Sequence, residues 1–461
     1  YYGKTEMGAG AYPGKLKSTT APNGLVTRYQ YDDFGRPSKT TAAYGTSVAV
    51  NSYQRYNWCG SYGCRDGAGC YTTTFTDGGT PVMRELDVRG REIRTRTLNM
   101  AGREVWVDRD FDARGNNVRV TDPYYANESS SRANHITFDG LDRVVRSIDA
   151  SGRVDAIAYD GLTRTSTVDV NGERQIQVEE RDALDNVIAI TDNQGSTIRY
   201  DFDALGQQTA VTDSAGNVTT ITYNALGHKI AMSDPDKGNW TYTYNGLGKL
   251  ITQRDAKGQT TCLAYDVLGR MVRRVDGYTG SSASSSGGLG QNSQAHQQCT
   301  GSGTGTSTWT YHTTGSGAGQ LNIVTSPGYQ QSYRYDTYGR VSETATTIQG
   351  QTFRVASQYD RYSRPVTVQY PEVSGAPARL TARTQYNALG YATGTYDASS
   401  GALYSRVDAV DVLGNVTVTR MGNGVETTRA FDLDTGYLRR IQAKSLYPLA
   451  DEVIQDLRLT F

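Results

Sequence analysis

The chain has 461 residues, including 51 glycines and 33 tyrosines, and only 37% of its residues are hydrophobic. This composition argues against several ordinary globular cores and favours a repeat protein with shallow burial, because tyrosine can cover surface while its hydroxyl stays in water. Basic and acidic residues number 47 each, so the formal net charge is zero and no overall basic field exists to attract nucleic acid. The sequence also contains no run of about 20 apolar residues that would predict a membrane span.

The first repeated signal is Tyr31-Asp32, with Gly35 three residues beyond the aspartate. An aromatic residue followed by Asp or Asn recurs along the chain, and with degenerate pairs it gives sixteen marks, including Asn57 with Gly60. Asp or Asn at the first position of a type I turn accepts backbone N–H hydrogen bonds, and glycine at the fourth supplies a positive φ. The predicted turn residues are Asp32, Gly35, Asp203, Gly206, Asn224, Gly227, Asn245, Gly248, Asp266, Gly269, Asp336 and Gly339.

A cysteine-rich insertion is predicted near residues 57–80, where Cys59, Cys64 and Cys70 lie close together. The other two cysteines, Cys262 and Cys299, bracket the start of a Ser/Gly-rich segment. We expect disulfides between Cys262 and Cys299 and between one pair of the first three, with free thiols or a metal site as alternatives. Zinc is disfavoured because the cluster has no C-x-x-C pair and no histidine. Disulfides favour an oxidising compartment.

Between residues 181 and 276 the repeat is regular, and the pairs that begin at Phe202, Tyr223, Tyr244 and Tyr265 are 21 residues apart. A second turn signal stands halfway through the unit, and the segments between turns are about six residues long and rich in Thr, Val, Ile and Tyr. Each unit is therefore predicted to form one β-hairpin, and the hairpins an antiparallel meander of about 30 strands. The halfway turns are predicted at Asp149, Asp169, Asp192, Asp213, Asp234 and Asp255.

Residues 277–330 interrupt this spacing with a segment dense in Ser, Gly, Thr and Gln. We expect a surface loop or a diverged pair of hairpins there, with a ligand-binding loop as the alternative. Residues 1–276 and 331–461 are accordingly predicted to be two stretches of one repeat wall. A helix is considered only for Tyr447 to Leu457. Because Phe461 stands where the aromatic of another pair is due, we expect the parent protein to continue.

A ribbon of about 30 strands must curve, because strand twist accumulates and open sheets beyond about ten strands curl or split. Alternation in the strands leaves neither face strongly apolar, which favours a hollow shell over a filled sandwich. The fold class predicted is therefore all-β, with antiparallel hairpins of about 21 residues forming a curved or spiral hollow shell. The apolar residues just before the turn glycine are predicted to form, with the paired tyrosines, a core ridge: Leu205, Leu226, Leu247, Leu268, Tyr338, Leu389 and Leu413.

The pattern Tyr-Asp-x-x-Gly-Arg stands at 31–36, 265–270 and 335–340. It resembles the YD repeat of the Rhs family, which is similar to repeats in insecticidal toxin-complex B and C components and, more distantly, in teneurins. The resemblance implies a spiralling β-shell that encloses a toxic C-terminal domain. Family members that release their cargo carry a D-P-x-G-L cleavage motif, and neither Asp122-Pro123 nor Asp234-Pro235 matches it. No catalytic, cofactor or metal residue is therefore predicted.

The function expected is the structural casing of a secreted or surface-exposed bacterial protein, and the partner expected is an enclosed toxin or effector polypeptide, with further shell subunits or glycans as other possible partners. A cell-surface adhesion or carbohydrate-binding module is the alternative, and a plain structural stalk is the third. An enzyme is not expected, because a glycosidase needs two acids at catalytic separation and nearly every regularly spaced aspartate here is assigned to a turn.

Overall fold

The computed structural model describes residues 11–60, 63–130, 132–170, 173–280, 299, 301–373, 378–446 and 452–460. Every helix or strand in these ranges is a β-strand, and none of the described residues belongs to a helix able to cross a bilayer. The strands join one open sheet in which successive strands pair antiparallel. The predicted all-β hairpin meander is confirmed.

The first coil of the sheet begins with strands β1 Ser18–Thr20, β2 Val26–Tyr31, β3 Pro37–Ala42, β4 Val50–Trp58, β5 Ala68–Thr76, β6 Val82–Asp87, β7 Glu92–Leu98, β8 Glu104–Phe111, β9 Asn117–Thr121, β10 Tyr124–Tyr125, β11 Ala133–Phe138 and β12 Val144–Ile148. It continues through β13 Val154–Asp160, β14 Thr163–Val170, β15 Glu173–Arg181, β16 Val187–Thr191, β17 Thr197–Phe202, β18 Gln208–Thr212, β19 Val218–Tyr223, β20 Lys229–Asp234, β21 Gly238–Tyr244, β22 Leu250–Arg254, β23 Thr260–Tyr265 and β24 Met271–Asp276.

The remaining strands are β25 Gly305–Tyr311, β26 Leu321–Ser326, β27 Tyr329–Tyr335, β28 Val341–Ile348, β29 Gln351–Tyr359, β30 Pro365–Gln369, β31 Thr381–Tyr386, β32 Ala392–Asp397, β33 Leu403–Val410, β34 Val416–Met421, β35 Val425–Phe431, β36 Leu438–Ser445 and β37 Glu452–Arg458. One irregularity interrupts the order: β9 and β10 both pair with β8, and β11 pairs with β9. The two short strands therefore act as one interrupted strand.

The structure corrects the prediction for the end of the chain and adds strands to the 277–330 segment. The helix considered for Tyr447 to Leu457 is wrong from Glu452 onward, because β37 is a strand that pairs antiparallel with β36. Residues 447–451 lie outside the described residues. In the 277–330 segment, β25, β26 and the start of β27 continue the meander between β24 and β28. Residues 281–298 and 300 lie outside the described part.

Burial is shallow along the whole ribbon. Its one cluster of buried apolar residues consists, within the described ranges, of Cys262, Ala264, Val275 and Cys299. The chain exposes 27464 Å², whereas a compact monomer of this length would expose roughly 17,000 Å². The protein is therefore a thin wall and not a filled globule.

The predicted core ridge of turn leucines is wrong for its regular members. Leu205, Leu226 and Leu247 are between 77% and 79% exposed, Leu268 is 72% exposed and Leu413 is 37% exposed. A residue at the tip of a turn lies beyond the last pair of the ladder, so its side chain leaves the edge of the sheet and does not join either face. Tyr338 and Leu389 are half-buried for a different reason, a seam between coils that is described below.

Candidate functional site: the repeat corner and the seam between coils

The repeat corner is the turn that follows each aromatic–Asp pair, and Asp266 shows its construction. One carboxylate oxygen, Oδ1, accepts the N–H groups of Leu268 and Arg270, both at 2.9 Å. The N–H of Gly269 donates to the Asp266 carbonyl at 2.9 Å, and the N–H of Asp266 donates to the Arg270 carbonyl at 2.9 Å. Gly269 has φ +74°, which is the left-handed conformation that an L side chain resists. Both the Asp266 carboxylate and Gly269 therefore serve to form the turn.

The structure places all twelve predicted turn residues in corners of this kind. In each of the six pairs the glycine N–H donates to the carbonyl of the Asp or Asn three residues earlier, at 2.9 to 3.0 Å. Three other corners hold Asp142, Asp185 or Ser363 at the glycine position, each with φ between 62° and 69°. Short polar residues thus replace glycine without changing the turn.

Four predicted marks do not form the expected turn. Asp160 pairs with Thr163 across a two-residue turn, and the glycine that bonds the Asp432 carbonyl is Gly436, four residues on. The other two lie within strands. Asn57 lies within β4, paired with Tyr71, so the chain runs on past this mark into the cysteine-rich loop. Asp169 lies within β14, paired with Arg174, and Gly172 lies outside the described residues. The halfway turns at Asp149, Asp192, Asp213 and Asp255 resemble the corners. In each, the glycine N–H donates to the carbonyl of the aspartate three residues earlier.

In six corners an arginine follows the fourth residue of the turn and forms an ion pair with the aspartate at the first. In Asp266 the second oxygen, Oδ2, accepts Arg270 Nε at 2.7 Å, and Nη2 lies at 2.7 Å. The same paired contact occurs at five further corners, namely Asp32–Arg36, Asp87–Arg91, Asp139–Arg143, Asp336–Arg340 and Asp360–Arg364. Three corners begin with asparagine, at Asn224, Asn245 and Asn387. In these corners the residue after the glycine is His, Lys or Tyr. In the described corners, arginine at this position therefore occurs only with aspartate, whereas the aspartate corners at Asp112, Asp182, Asp203 and Asp411 have Asn or Gln there.

The electrostatics of the corner agree with its geometry. Burial alone would raise the pKa of the Asp266 carboxyl, but hydrogen bonds from the Arg270 backbone and guanidinium outweigh it, and the pKa is lowered. At Asp139 the backbone hydrogen bond from Arg143 is the largest influence and lowers the pKa directly. A carboxylate that is ionised and bonded in this way is a poor general acid or base.

The same arginine reaches forward to the next repeat. The Arg270 guanidinium lies 4.0 Å from the centre of the Tyr311 ring, which is the aromatic residue of the following hairpin. Cation–π contacts of this kind contribute about 0.5–1 kcal/mol at exposed sites. The others are Arg36 with Tyr56 at 4.0 Å, Arg91 with Phe111 at 4.6 Å, Arg143 with Tyr159 at 4.1 Å, Arg340 with Tyr359 at 4.6 Å and Arg364 with Tyr386 at 4.4 Å.

The tyrosine hydroxyl reaches back to the preceding repeat. Tyr265 Oη donates to the carbonyl of Leu250, the first strand residue after the previous corner, at 2.9 Å. Burial raises the pKa of Tyr265, so the hydroxyl remains a donor at any ordinary pH. The same bond, at 2.7 to 3.0 Å, joins Tyr31 to Leu16, Tyr244 to Lys229, Tyr311 to Met271, Tyr335 to Leu321, Tyr359 to Val341 and Tyr386 to Pro365.

Sequence reasoning missed this tyrosine bond. The signal available was the choice of tyrosine over phenylalanine at most marks, since the hydroxyl has no part in forming the turn itself. With the arginine contact, the bond makes each aromatic residue a link between neighbouring hairpins. The carboxylate builds the corner, the arginine covers the next ring, and the hydroxyl of that ring binds the backbone beside the arginine.

The cysteine-rich insertion is closed by a disulfide and attached to the sheet by charged side chains. Cys59 and Cys64 are joined by a disulfide, Cys70 keeps a free thiol, and a second disulfide joins Cys262 to Cys299. Just after the first loop, the backbone N–H of Arg65 donates to Glu85 Oε2 at 2.7 Å.

The Arg65 side chain enters a network of charges on β6 to β9. Its Nη1 donates to the carbonyls of Ile93 and Arg109, both at 2.8 Å, and its guanidinium pairs with Asp110. Asp108 next to it is buried, and burial together with a 2.7 Å hydrogen bond to Asp108 raises the pKa of Tyr124 to about 12. The network holds the loop where a repeat corner would otherwise stand.

Turns of the second coil of the ribbon, which begins at β25, contact turns of the first coil. We call this line of contacts the seam. Corners on one edge of β27 to β32 contact halfway turns on the opposite edge of β3 to β8. Among the described residues, five side-chain hydrogen bonds cross it: Tyr338 with Ser47 at 3.0 Å, Arg364 to Gly78 at 3.1 Å, Thr80 to Leu389 at 2.7 Å, Asn387 to Met100 at 2.8 Å and Tyr391 to Leu98 at 2.8 Å. Further along, Arg132 pairs with Asp434.

The seam is closely packed and fixes the circumference. A Cβ added at Gly78 would lie 2.7 Å from the Tyr362 ring, so glycine is needed there for contact. The β5–β6 turn meets the β29–β30 turn, and the β7–β8 turn meets the β31–β32 turn. One coil thus contains about 24 strands, which at about 4.8 Å per strand gives a circumference of about 115 Å and a diameter of about 37 Å.

Comparison with protein families matches the RHS Repeat model to residues 14–47, 181–218, 202–238, 223–260 and 244–280. These matches contain the corner at Asp32 and the corners from Asp182 to Asp266. These segments of the chain match the RHS repeat. The resemblance to the Rhs family inferred from the Tyr-Asp-x-x-Gly-Arg pattern is confirmed. A comparison of the amino-acid sequence with curated proteins finds no significant match.

Solved structures match the RHS-repeat wall over nearly all of this chain. The crystal structure of TcdB2-TccC3 has a TM-score of 0.70 and 13% identity, and the match covers 96% of this chain and 27% of that one. The Photorhabdus luminescens Tc holotoxin pore has a TM-score of 0.72 and 12% identity, with 97% and 29% covered. TcdB2-TccC3-Cdc42 has a TM-score of 0.72 and 13% identity, with 96% and 30% covered. The RHS-repeat chain thus spans less than a third of the length of these chains, and it shares their fold.

Proposed function

We propose that this chain is a section of the wall of a secreted bacterial toxin-complex-type casing that encloses a toxin or effector polypeptide. The observation that carries the proposal is the seam. It joins corners and halfway turns that are about 290 residues apart in the chain, for example Ser47 and Tyr338. A ribbon sealed edge to edge in this way surrounds a space, whereas a stalk or a flat adhesive sheet needs no such seal.

The composition of the wall fits this role. The large exposed area shows that both faces of the sheet are mostly uncovered, and strands such as β19 and β21 alternate half-buried and exposed residues with neither face dry. A polar inner face can surround a polypeptide without the wall depending on that polypeptide for its own core. Corner contacts and tyrosine bonds hold the wall together locally instead.

The role is structural and asks no reaction of these residues. The regularly spaced carboxylates are occupied by backbone N–H groups and arginine. The partner is a polypeptide held inside by confinement, and the toxin-complex structures with the same fold support that class of partner.

The first test is small-angle X-ray scattering from the whole chain. A hollow wall of about 37 Å diameter gives a pair-distance distribution with its maximum shifted to longer distances than a filled particle of equal mass. A distribution typical of a filled globule would contradict the proposal.

The second test measures enclosure. An unfolded reporter peptide with protease sites is fused directly after residue 461, and in the control the same reporter follows a Gly/Ser linker of about 60 residues, which reaches about 43 Å. We expect the direct fusion to be cleaved at least fivefold more slowly. Equal cleavage rates would remove the enclosing role and leave the wall itself intact.

A further inference from the structure

One face of strands β3 to β8, the face opposite the paired aromatic residues, carries large side chains where other parts of the sheet carry small ones. In β18 to β22 this face consists mainly of small residues: Ala210, Thr212, Thr220, Thr222, Ala231, Ser233, Thr241, Thr243 and Thr252. In β3 to β8 it carries aromatic, basic and apolar residues: Lys39, Tyr53, Arg55, Tyr71, Phe75, Met83, Arg96 and Trp106. Hairpin formation does not require this change, because the corners at Asp32 and Asp87 have the same hydrogen bonds as those of the regular repeats.

Two cations on this face lie over stacked aromatic rings. The rings of Tyr53 and Phe75 are stacked with their centres 4.7 Å apart. Lys39 Nζ lies 5.3 Å from the centre of the Tyr53 ring, and the Arg55 guanidinium lies 5.1 Å from the centre of the Phe75 ring. Within the described residues neither cation forms an ion pair with a carboxylate. A contact with a ring face uses none of their N–H donors, so both cations remain able to bind an acidic group.

The cation at the other end of the row, Arg96, is already held in place. Its guanidinium pairs with Glu85 and donates from Nη2 to the Gly63 carbonyl at 2.8 Å, and Nη1 lies 3.8 Å from Glu104 Oε1. The same guanidinium lies 4.7 Å from the centre of the Trp106 ring. Arg96 therefore acts as a fixed part of the surface, because its charge is balanced by two glutamates.

A cavity of about 410 Å³ lies between these two groups, lined in part by Arg55, Tyr71, Met83, Arg96 and Leu98. Pockets for small ligands have volumes of about 300–1,000 Å³, with mostly apolar walls and a few polar groups. The cavity opens on a face of the sheet, between strands whose neighbours on both sides belong to this chain. An adjoining length of wall would add strands at the ends of the ribbon or turns along its edges, and neither would cover this face.

We propose that this cavity binds an acidic peptide segment of a separate partner protein, with an apolar side chain against Met83 and Leu98 and a carboxylate on Arg55. Arginine can bind a carboxylate through two parallel hydrogen bonds, and Lys39 can take a second acidic residue. The apolar walls favour an apolar side chain over a sugar ring, whose hydroxyls they cannot bond. Since the strands are paired on both sides, the peptide is bound through side chains and not as an added strand. The inference goes beyond the enclosing role and does not depend on it, because neither Arg55 nor Met83 takes part in the seam.

The test is fluorescence anisotropy with the whole chain and a set of short fluorescein-labelled peptides. Each peptide carries one apolar residue (Leu, Ile, Met, Phe or Trp) flanked by Asp or Glu, and each has a neutral control with Asn or Gln in place of the acids. We expect at least one acidic peptide to bind with saturation, and its neutral control to bind at least tenfold more weakly. Binding should also weaken as salt is raised, because the free cations are close to solvent.

Two variants locate the binding. Arg55→Glu reverses the free charge at the cavity and should weaken the best peptide at least tenfold. The matched control is Arg199→Glu, at an exposed arginine on the same face that has no ring contact or ion pair among the described residues, and it should bind like the wild type. Both side chains are exposed, so circular dichroism and melting temperature should not change.

Four results would each overturn the proposal. They are no binding of any acidic peptide at 1 mM, equal binding of acidic and neutral peptides, and equal effects of Arg55→Glu and Arg199→Glu. The fourth is displacement of the labelled peptide by free glucuronate at concentrations no higher than those of the unlabelled peptide, which would assign the cavity to a sugar acid instead.

Discussion

Substitutions at Asp266 separate the two tasks of the corner carboxylate. Asp266→Asn keeps an oxygen that accepts the N–H groups of Leu268 and Arg270 but loses the pair with the Arg270 guanidinium. That pair is partly exposed, so its loss costs about 1 kcal/mol or less. Asp266→Ala also removes the acceptor for both N–H groups, which by analogy with helix N-cap substitutions adds about 0.5–2 kcal/mol. We therefore expect about 1 kcal/mol for the asparagine variant and about 2–3 kcal/mol for the alanine variant.

Hydrogen exchange read by mass spectrometry is the suitable assay, because a long repeat array opens locally and not in one step. A change of 1.4 kcal/mol in opening free energy is tenfold in exchange rate. Peptides around β23 and β24 should then exchange about fivefold faster in Asp266→Asn and about 30- to 100-fold faster in Asp266→Ala.

The matched control is Asn245→Ala, at a corner that has no arginine. It should show only the acceptor loss, while peptides two or more repeats away stay unchanged in every variant. Equal exchange in Asp266→Asn and Asp266→Ala, or no change in either, would refute this account of the corner.

Four further predictions follow the same logic. Tyr265→Phe should cost about 0.5–1.5 kcal/mol in local opening, whereas Tyr223→Phe, at a hydroxyl without a hydrogen-bond partner among the described residues, should cost almost nothing; equal effects would remove the tyrosine link. Gly206→Ala should cost about 1–2 kcal/mol because of φ +75°, and Gly206→Asp clearly less, since other corners hold aspartate there; the reverse order in exchange rates would contradict the turn assignment. Backbone and hydroxyl hydrogen bonds lower the pKa of Asp432 to about 2 in the folded chain, against about 3.9 when unfolded, so its stabilisation is complete above pH 4 and is lost as pH falls towards 2; protection factors near β35 and β36, corrected for the intrinsic pH dependence of exchange, that stay constant over this window would disprove it. Alkylation without reductant should label one thiol, Cys70, and after reduction all five; five labelled thiols without reductant would exclude both disulfides.

The corners could be predicted from sequence because the Asp-x-x-Gly pattern is a local signal with a local cause. Hairpins followed from the corners, since a 21-residue unit with a second turn halfway through leaves room only for short antiparallel strands. The leucine ridge failed because alternation rules apply within the ladder and Leu205 lies beyond its end. The mark at Asn57 failed because β4 runs through it to the disulfide loop.

The seam and the tyrosine bond had no such local signal. Tyr338 meets Ser47 only because twist closes the ribbon after about 24 strands, a property of the whole coil that no single repeat encodes. The hydroxyl of Tyr265 reaches a carbonyl whose position depends on the previous corner. In both cases the partner is set by geometry accumulated over other residues.

The seam also makes the wall intolerant of a kind of change that its repeats would otherwise allow. Adding or deleting one hairpin within β9 to β26 would leave every corner and every tyrosine bond intact, since those involve only immediate neighbours. Yet it would shift all later corners by two strands, so that Arg364 would no longer lie opposite Gly78, nor Asn387 opposite Met100. Length variation in such a wall should therefore be confined to the connections between strands, such as the one between β24 and β25, while the number of strands per turn stays fixed.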